Sequence, residues 1–233
     1  MKTLKWEDIH LADYLNYYRS IKPYVGTDEY GTKAIINTIF SFTDITDEEY
    51  LDLPEAEFTA LEEQAFRLLS TTEKMPLVKS FEINGIKYGF IPALDDMTYG
   101  EYLDLVTYTK KDLWDNIPTV MSTMYRPITK QLGNSYTIEK YSGTKPEITE
   151  LFKEGLTMDV VFGALSFFLD LQKDLLIGTQ IYLQEMLTNK TPDSSQVQAV
   201  LTQSGVSITQ LQSLQEMISS NLTVLQSSPS ISV

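Results

Sequence analysis

Cysteine is absent from the 233 residues, and histidine occurs once, at His10. The first absence excludes disulfides, thiolate metal sites and cysteine nucleophiles. The second excludes a multi-histidine zinc site and leaves His10 as the only imidazole a Ser-His-Asp triad could use. Basic residues are scarce: 18 Lys and Arg stand against 32 Asp and Glu, a net charge of −14. That charge repels nucleic-acid phosphate and anionic membrane surfaces, and no basic stripe with interleaved aromatics offsets it. Long apolar runs are missing as well. The longest, "VVFGALSFFL" at Val160 to Leu169, is too short to cross a bilayer and ends at Asp170. The start "MKTLKWEDIHLADYL" has no apolar core of the signal-peptide kind. Neither "NGIKYG" nor "LGNSYT" belongs to a Walker or GxGxxG pattern, so no phosphate loop is indicated. The expectation is a soluble protein of intracellular origin that takes neither nucleic acid nor membrane as a partner.

What is present is enough apolar and aromatic material, 42% and 11%, to bury the core of one large domain or two small ones. Residues 4–22 read as a helix, with Trp6, Ile9, Tyr14, Tyr17 and Ile21 at roughly helical spacing and Pro23 and Gly26 ending it. "GTKAIINTIFSFTD" reads either as a short helix or as a buried strand. "TDEEYLDL" is a turn or short helix. A firm helix follows from about Pro54 to Leu69, with Phe58, Leu61, Ala65 and Leu68 as its apolar stripe.

The period then becomes two-fold. Phe81 and Ile83 alternate on one arm and Ile86, Tyr88 and Phe90 on the other, around Asn84-Gly85, a type I′ turn signal. Pro92 stops the second arm, and Thr98 with Glu101 fits a capping box for the next helix. "LWDNIPTVMSTMY" directs Trp114, Ile117, Val120, Met121 and Met124 to a core. A second hairpin turns at Gly133-Asn134, with Tyr136, Ile138 and Lys140 alternating after it. "KPEITELFKEG" is a short helix closed by Gly155.

Thr157 opens the longest element, in which Val160, Ala164, Phe167, Leu171, Leu175, Gly178, Tyr182 and Met186 recur every three or four residues. A second line, Val161, Leu165, Phe168 and Leu176, widens the stripe, so this helix is expected to pack on more than one side. After Lys190 there is no lysine or arginine, and Ser, Thr and Gln dominate. The fold class expected is α+β, mainly α: a helical bundle around a long central helix, about 157–190, with two β-hairpins, about 79–91 and 127–141. The hairpins either pack at the bundle's edge or pair as one small antiparallel sheet. Residues 1–190 form the globular domain and 191–233 a helical tail that orders on the main body or on a partner.

Few residues suggest chemistry. Asp95, Asp96, Glu101 and Asp104 cluster at a helix start; a divalent-metal or acid/base role competes with capping and dipole complement, and capping is the simpler account. "TDEEYLDLPEAE" lacks the acid and glycine spacing of an EF-hand and reads as a solvated acidic face. His10 lies among Trp6, Leu11 and Tyr14, a setting for a structural imidazole. Arg126 in "YRP" could meet a phosphate or a carboxylate, or simply complement a helix end. The expectation is no catalytic, cofactor-binding or metal-binding residue, and no cofactor.

Three stretches, "FEINGIKYGFIPALDDMTYGEYLDL", "MSTMYRPIT" and "MDVVFGALSFFLDLQKDLL", resemble a class of tailed-bacteriophage proteins from phages of gut bacteria, the crAss-like phages among them. Those proteins are encoded in genome regions for virion structure and assembly. The resemblance spans about Phe81 to Leu187, leaves out the N-terminal part and the tail, and transfers no functional residue. It implies a non-enzymatic, virion-associated protein, structural or packaged as cargo in head or tail. Its implied partners are other virion proteins or further copies of itself. A cytoplasmic tail-assembly chaperone that coats the tape-measure protein is the neighbouring alternative, and a host-directed regulatory protein a third.

Overall fold

The structure is a computed structural model and describes residues 3–70, 75–92, 97–109 and 112–167. It is mainly helical, with one small antiparallel sheet. Helix α1 (Leu11–Ile21) buries Leu11, Tyr14, Leu15, Tyr17 and Ile21 along one stripe. It ends in a tight turn at Lys22–Tyr24, followed by Gly26 in the left-handed region at φ +81°. The helix expected over residues 4–22 is therefore shorter at its start. Trp6–Asp8 form a single 3₁₀ turn, and Ile9 and His10 are extended. The reason is tertiary: Leu11 N–H donates to Leu156 O at 2.8 Å and Met158 N–H to Ile9 O at 2.9 Å, a backbone bridge a continuous helix would forbid.

Helix α2 (Tyr30–Phe42) resolves the helix-or-strand ambiguity in favour of helix, and packs between α1 and α4. Helix α3 (Asp47–Leu51) is one short turn-and-a-half held by a capping box the sequence reading passed over: Thr46 N–H donates to Glu49 Oε2 at 2.9 Å, and Glu49 N–H to Thr46 Oγ1 at 3.3 Å. Helix α4 (Glu55–Leu69) follows Pro54, with Glu55 and Glu57 at its positive end and Arg67 at its negative end. Leu61, Ala65 and Leu68 are buried, whereas Phe58 is only half-buried.

Strands β1 (Ser80–Ile83) and β2 (Ile86–Phe90) form the expected hairpin, with Asn84 at φ 52° and Gly85 at φ 77° as a type I′ turn demands. Helices α5 (Tyr99–Thr109) and α6 (Leu113–Met124) separate it from strands β3 (Tyr125–Leu132) and β4 (Ser135–Ile138). The second hairpin starts two residues earlier than its sequence pattern indicates, because α6 passes into β3 with no loop. Its last arm stops at Ile138, so Lys140 lies beyond it. Pairing of β2 with β3, Tyr88 opposite Pro127 and Phe90 opposite Tyr125, merges both hairpins into one sheet of order β1-β2-β3-β4. Of the two arrangements the sequence left open, the single sheet is the one formed.

Helix α7 (Pro146–Gly155) does not close on a left-handed glycine. A Cβ on Gly155 would come within 3.0 Å of Ile83 Cδ1, so that glycine serves close packing of α7 on the hairpin. A last helix, α8, begins at residue 158 and is described to 167. Every residue from 160 to 166 is buried, as a helix packed on several sides requires. Its continuation towards 190, and the tail 191–233, lie outside the described residues.

The main core is aromatic. Phe162 of α8 meets Trp6 edge-on at 5.0 Å between ring centroids, and Tyr14 packs on Trp114 at 4.7 Å. A smaller separate cluster of Ile39, Leu61 and Ala65, flanked by Ile35, Ile45, Tyr50 and Leu53, lies under α2, α3 and α4.

Candidate functional site

Two places gather polar side chains. The first is where α5 meets the sheet. Thr98 and Glu101 form the expected capping box, Thr98 N–H donating to Glu101 Oε2 at 2.6 Å and Glu101 N–H to Thr98 Oγ1 at 3.3 Å. Glu101 is more than a cap. Its side chain is 1% exposed, and Oε1 stands 2.5 Å from Nη1 of Arg126, itself 13% exposed at the start of β3. The pair is ionic by distance, with angles outside hydrogen-bond geometry; Arg126 Nε and Nη1 are buried without a hydrogen-bond partner among the described residues. So the arginine of "YRP" complements a buried carboxylate rather than a helix terminus.

One turn along α5, Asp104 accepts a hydrogen bond from the Tyr141 hydroxyl, whose ring lies under the Arg126 guanidinium at 5.6 Å. Burial, and then the bond to Asp104, push the Tyr141 phenol well above its ordinary value, so it remains protonated and donating. A recess of about 30 Å³ beside Arg126, reached by Ser122, Glu139, Tyr141 and Lys145, has room for water but not for a substrate. The cluster's polar groups face one another, Glu101 against Arg126 and Asp104 against Tyr141. It latches α5 to β3 and to the loop after β4. Asp95 and Asp96, the other members of the acidic group, lie outside the described residues.

The second place is a cleft of about 870 Å³, in the size range of ligand sites. It lies among the N-terminal segment, the end of α2, α3 and the first half of α4. Leu4, Phe42, Ile45, Leu53 and Leu61 supply apolar walls. Asp8, Asp44, Glu48, Glu49, Asp52 and Glu57 stand at its margin, and no lysine or arginine lines it among the described residues.

Local sequence explains the arrangement. Thr43 ends α2, its hydroxyl donating to Ile39 O at 2.7 Å, and the chain reverses into the Thr46 cap. Pro54 then starts α4, whose first turn favours acids. The acids are dispersed: among the described residues no group of three or more Asp, Glu or His is placed to hold a metal ion. Glu49 is engaged by Thr46, whose backbone and hydroxyl bonds hold its carboxyl below the usual range. His10, the one imidazole, is exposed at the start of α1 and contributes to neither place except through its backbone bridge to Thr157.

Sequence reasoning treated "TDEEYLDLPEAE" as a solvated acidic face. Glu48, Glu49, Asp52, Glu55 and Glu57 are indeed exposed, but Leu53 among them and Ile45 just before the stretch pack on the small core, making the face one wall of a cleft. The signal available was Ile45 and Leu53, each set singly beside acids on either side of Thr46–Asp52. Compared with protein-family models, curated proteins and solved structures, the chain matches none. No helix among the described residues is long and apolar enough to cross a membrane.

Proposed function

We propose that this chain is a non-enzymatic component of a tailed-bacteriophage particle, built into or packaged within it, acting through protein contacts. The observation that carries the contact role is the open cleft of about 870 Å³, apolar within and acidic at its margin, facing solvent. The resemblance across Phe81 to Leu187 supports the setting in a virion. In this reading α8 runs on to about residue 190 as the bundle's central helix, which its burial on all sides from 160 to 166 favours. Residues 191–233 then order on a neighbouring virion protein or on another copy.

Mass spectrometry of purified particles tests the reading. The protein is expected in the mature particle in fixed ratio to the structural proteins. Its presence in infected cells but absence from particles would overturn the virion role and leave the assembly chaperone, which would use the same cleft to hold an unfinished tape-measure segment.

A further inference from the structure

We infer that the cleft between α2, α3 and α4 receives a basic amphipathic helix from another protein, its apolar face on the partly buried Leu4, Ile45 and Leu53 and its lysines or arginines against the acidic margin. This rests on the protein-contact role proposed above and names the partner's chemistry. Three observations carry it.

The apolar floor comes from the turns flanking α3, the N-terminal segment and α4, with no strand of the sheet among the lining residues, so the occupant finds no sheet edge to pair with and must satisfy its own backbone, as a helix does. Among the described residues, Asp44, Glu48, Asp52 and Glu57 have no lysine or arginine within ion-pair distance, so their field points outward unneutralised. The candidates within reach of the same chain fit poorly. Residues 168–190 set Lys173 and Lys190 against Asp170, Asp174 and Glu185, residues 191–233 carry no lysine or arginine, and a second copy brings a net charge of −14 towards the same acids. Steering by this margin speeds encounter with a cationic partner and rejects an anionic one, while the apolar walls supply affinity once water is expelled.

The test uses the full chain and three labelled peptides of about four helical turns: a Leu/Lys amphipathic helix, a Leu/Glu helix with the same apolar face, and a Lys peptide with no apolar residue. Binding is read by fluorescence anisotropy. Two charge-matched variants are compared: Asp44→Lys/Asp52→Lys/Glu57→Lys on the cleft, and Glu82→Lys/Glu147→Lys/Glu154→Lys away from it. The Leu/Lys helix is expected to bind the parent chain at least tenfold more tightly than either other peptide. The cleft variant is expected to lose at least tenfold, and the distant variant less than threefold. Should the cleft triple variant fail to fold, Asp44→Asn/Asp52→Asn replaces it, with an expected loss of at least threefold.

Equal loss in both variants would reduce the effect to net charge and overturn the inference. Equal binding of the Leu/Glu helix would overturn the basic partner while leaving a protein-contact role intact. Absence of any binding, or a dimer of the full chain that excludes the peptide, would overturn it too. Particle composition, which tests the virion role, is independent of all these outcomes.

Discussion

At the scale of single residues, the Glu101–Arg126 pair has the largest consequence. Truncating either partner leaves the other charge buried without a counter-ion, which typically costs about 3–5 kcal/mol, whereas replacing both by apolar groups costs far less. Arg126→Met and Glu101→Gln are therefore expected to lower the urea unfolding free energy by amounts in that range. The double variant Glu101→Gln/Arg126→Met should fall well short of the sum; additive losses would show that the two side chains do not act as a pair.

Three glycines give a graded comparison. A Cβ on Gly163 would meet the Pro76 carbonyl oxygen at 2.4 Å, so backbone must move. One on Gly89 would meet the Tyr136 ring at 2.5 Å, and that ring can tilt only by weakening the bond its one hydroxyl proton shares between Phe90 O and Lys79 O. One on Gly31, in α2, meets nothing within 4 Å. Alanine at 163 should destabilise most and at 89 less, both within roughly 1–3 kcal/mol. At 31 it should stabilise by up to about 1 kcal/mol. Thermal or urea unfolding ranks the three. None of these close approaches is visible in a one-dimensional pattern, because each depends on an element far away in the chain.

At the scale of elements, local rules did most of the reading. The Asn84-Gly85 turn, the Thr98–Glu101 cap and the apolar stripes of α4 and α6 all follow from spacing, because each is decided by neighbours within a few residues. The break at Ile9 and His10 is the counter-example. Helical periodicity continues through it, yet the backbone is drawn out to pair with residues 156–158. The cleft was equally hidden, since its walls come from four segments that only the assembled fold brings together.

Helix α3 is the element most dependent on its cap, being too short to persist on intrinsic propensity. Thr46→Ala should destabilise it locally by about 1 kcal/mol. The folded pKa of Glu49 lies below its unfolded value. Its contribution is therefore complete above the ordinary glutamate pKa and disappears as pH falls through the lower folded value. The protection of the α3 amides, taken against the intrinsic exchange rate at each pH, should fall over that acidic window in the parent chain, and be low already at neutral pH in Thr46→Ala. A flat profile in the parent would mean the cap is not holding the helix.

At the scale of the whole molecule, the two cores are unequal. The main cluster joins Trp6, α1, β2, α6, α7 and α8, and its ends are tied by the Ile9–Met158 and Leu11–Leu156 hydrogen bonds, so it should open only in global unfolding. The smaller cluster of Ile39, Leu61 and Ala65 anchors α3 and the first half of α4 mainly through α2, with few fully buried side chains, while Leu68 at the end of α4 belongs to the main cluster. Units with little buried apolar area open at lower free energy. Hydrogen exchange should therefore show α3 and the first half of α4 opening together by a sub-global route, while amides of α1, α6 and residues 158–167 exchange only through global unfolding. The α2 amides, bonded to both cores, should lie between them. Adding the Leu/Lys helix should slow exchange in α3 and the first half of α4 most, since an occupant of the cleft completes the core that α2–α4 leave open. If the first half of α4 exchanges as slowly as α6 before any peptide is added, the cleft belongs to one rigid core, and the coupling of partner binding to its ordering fails.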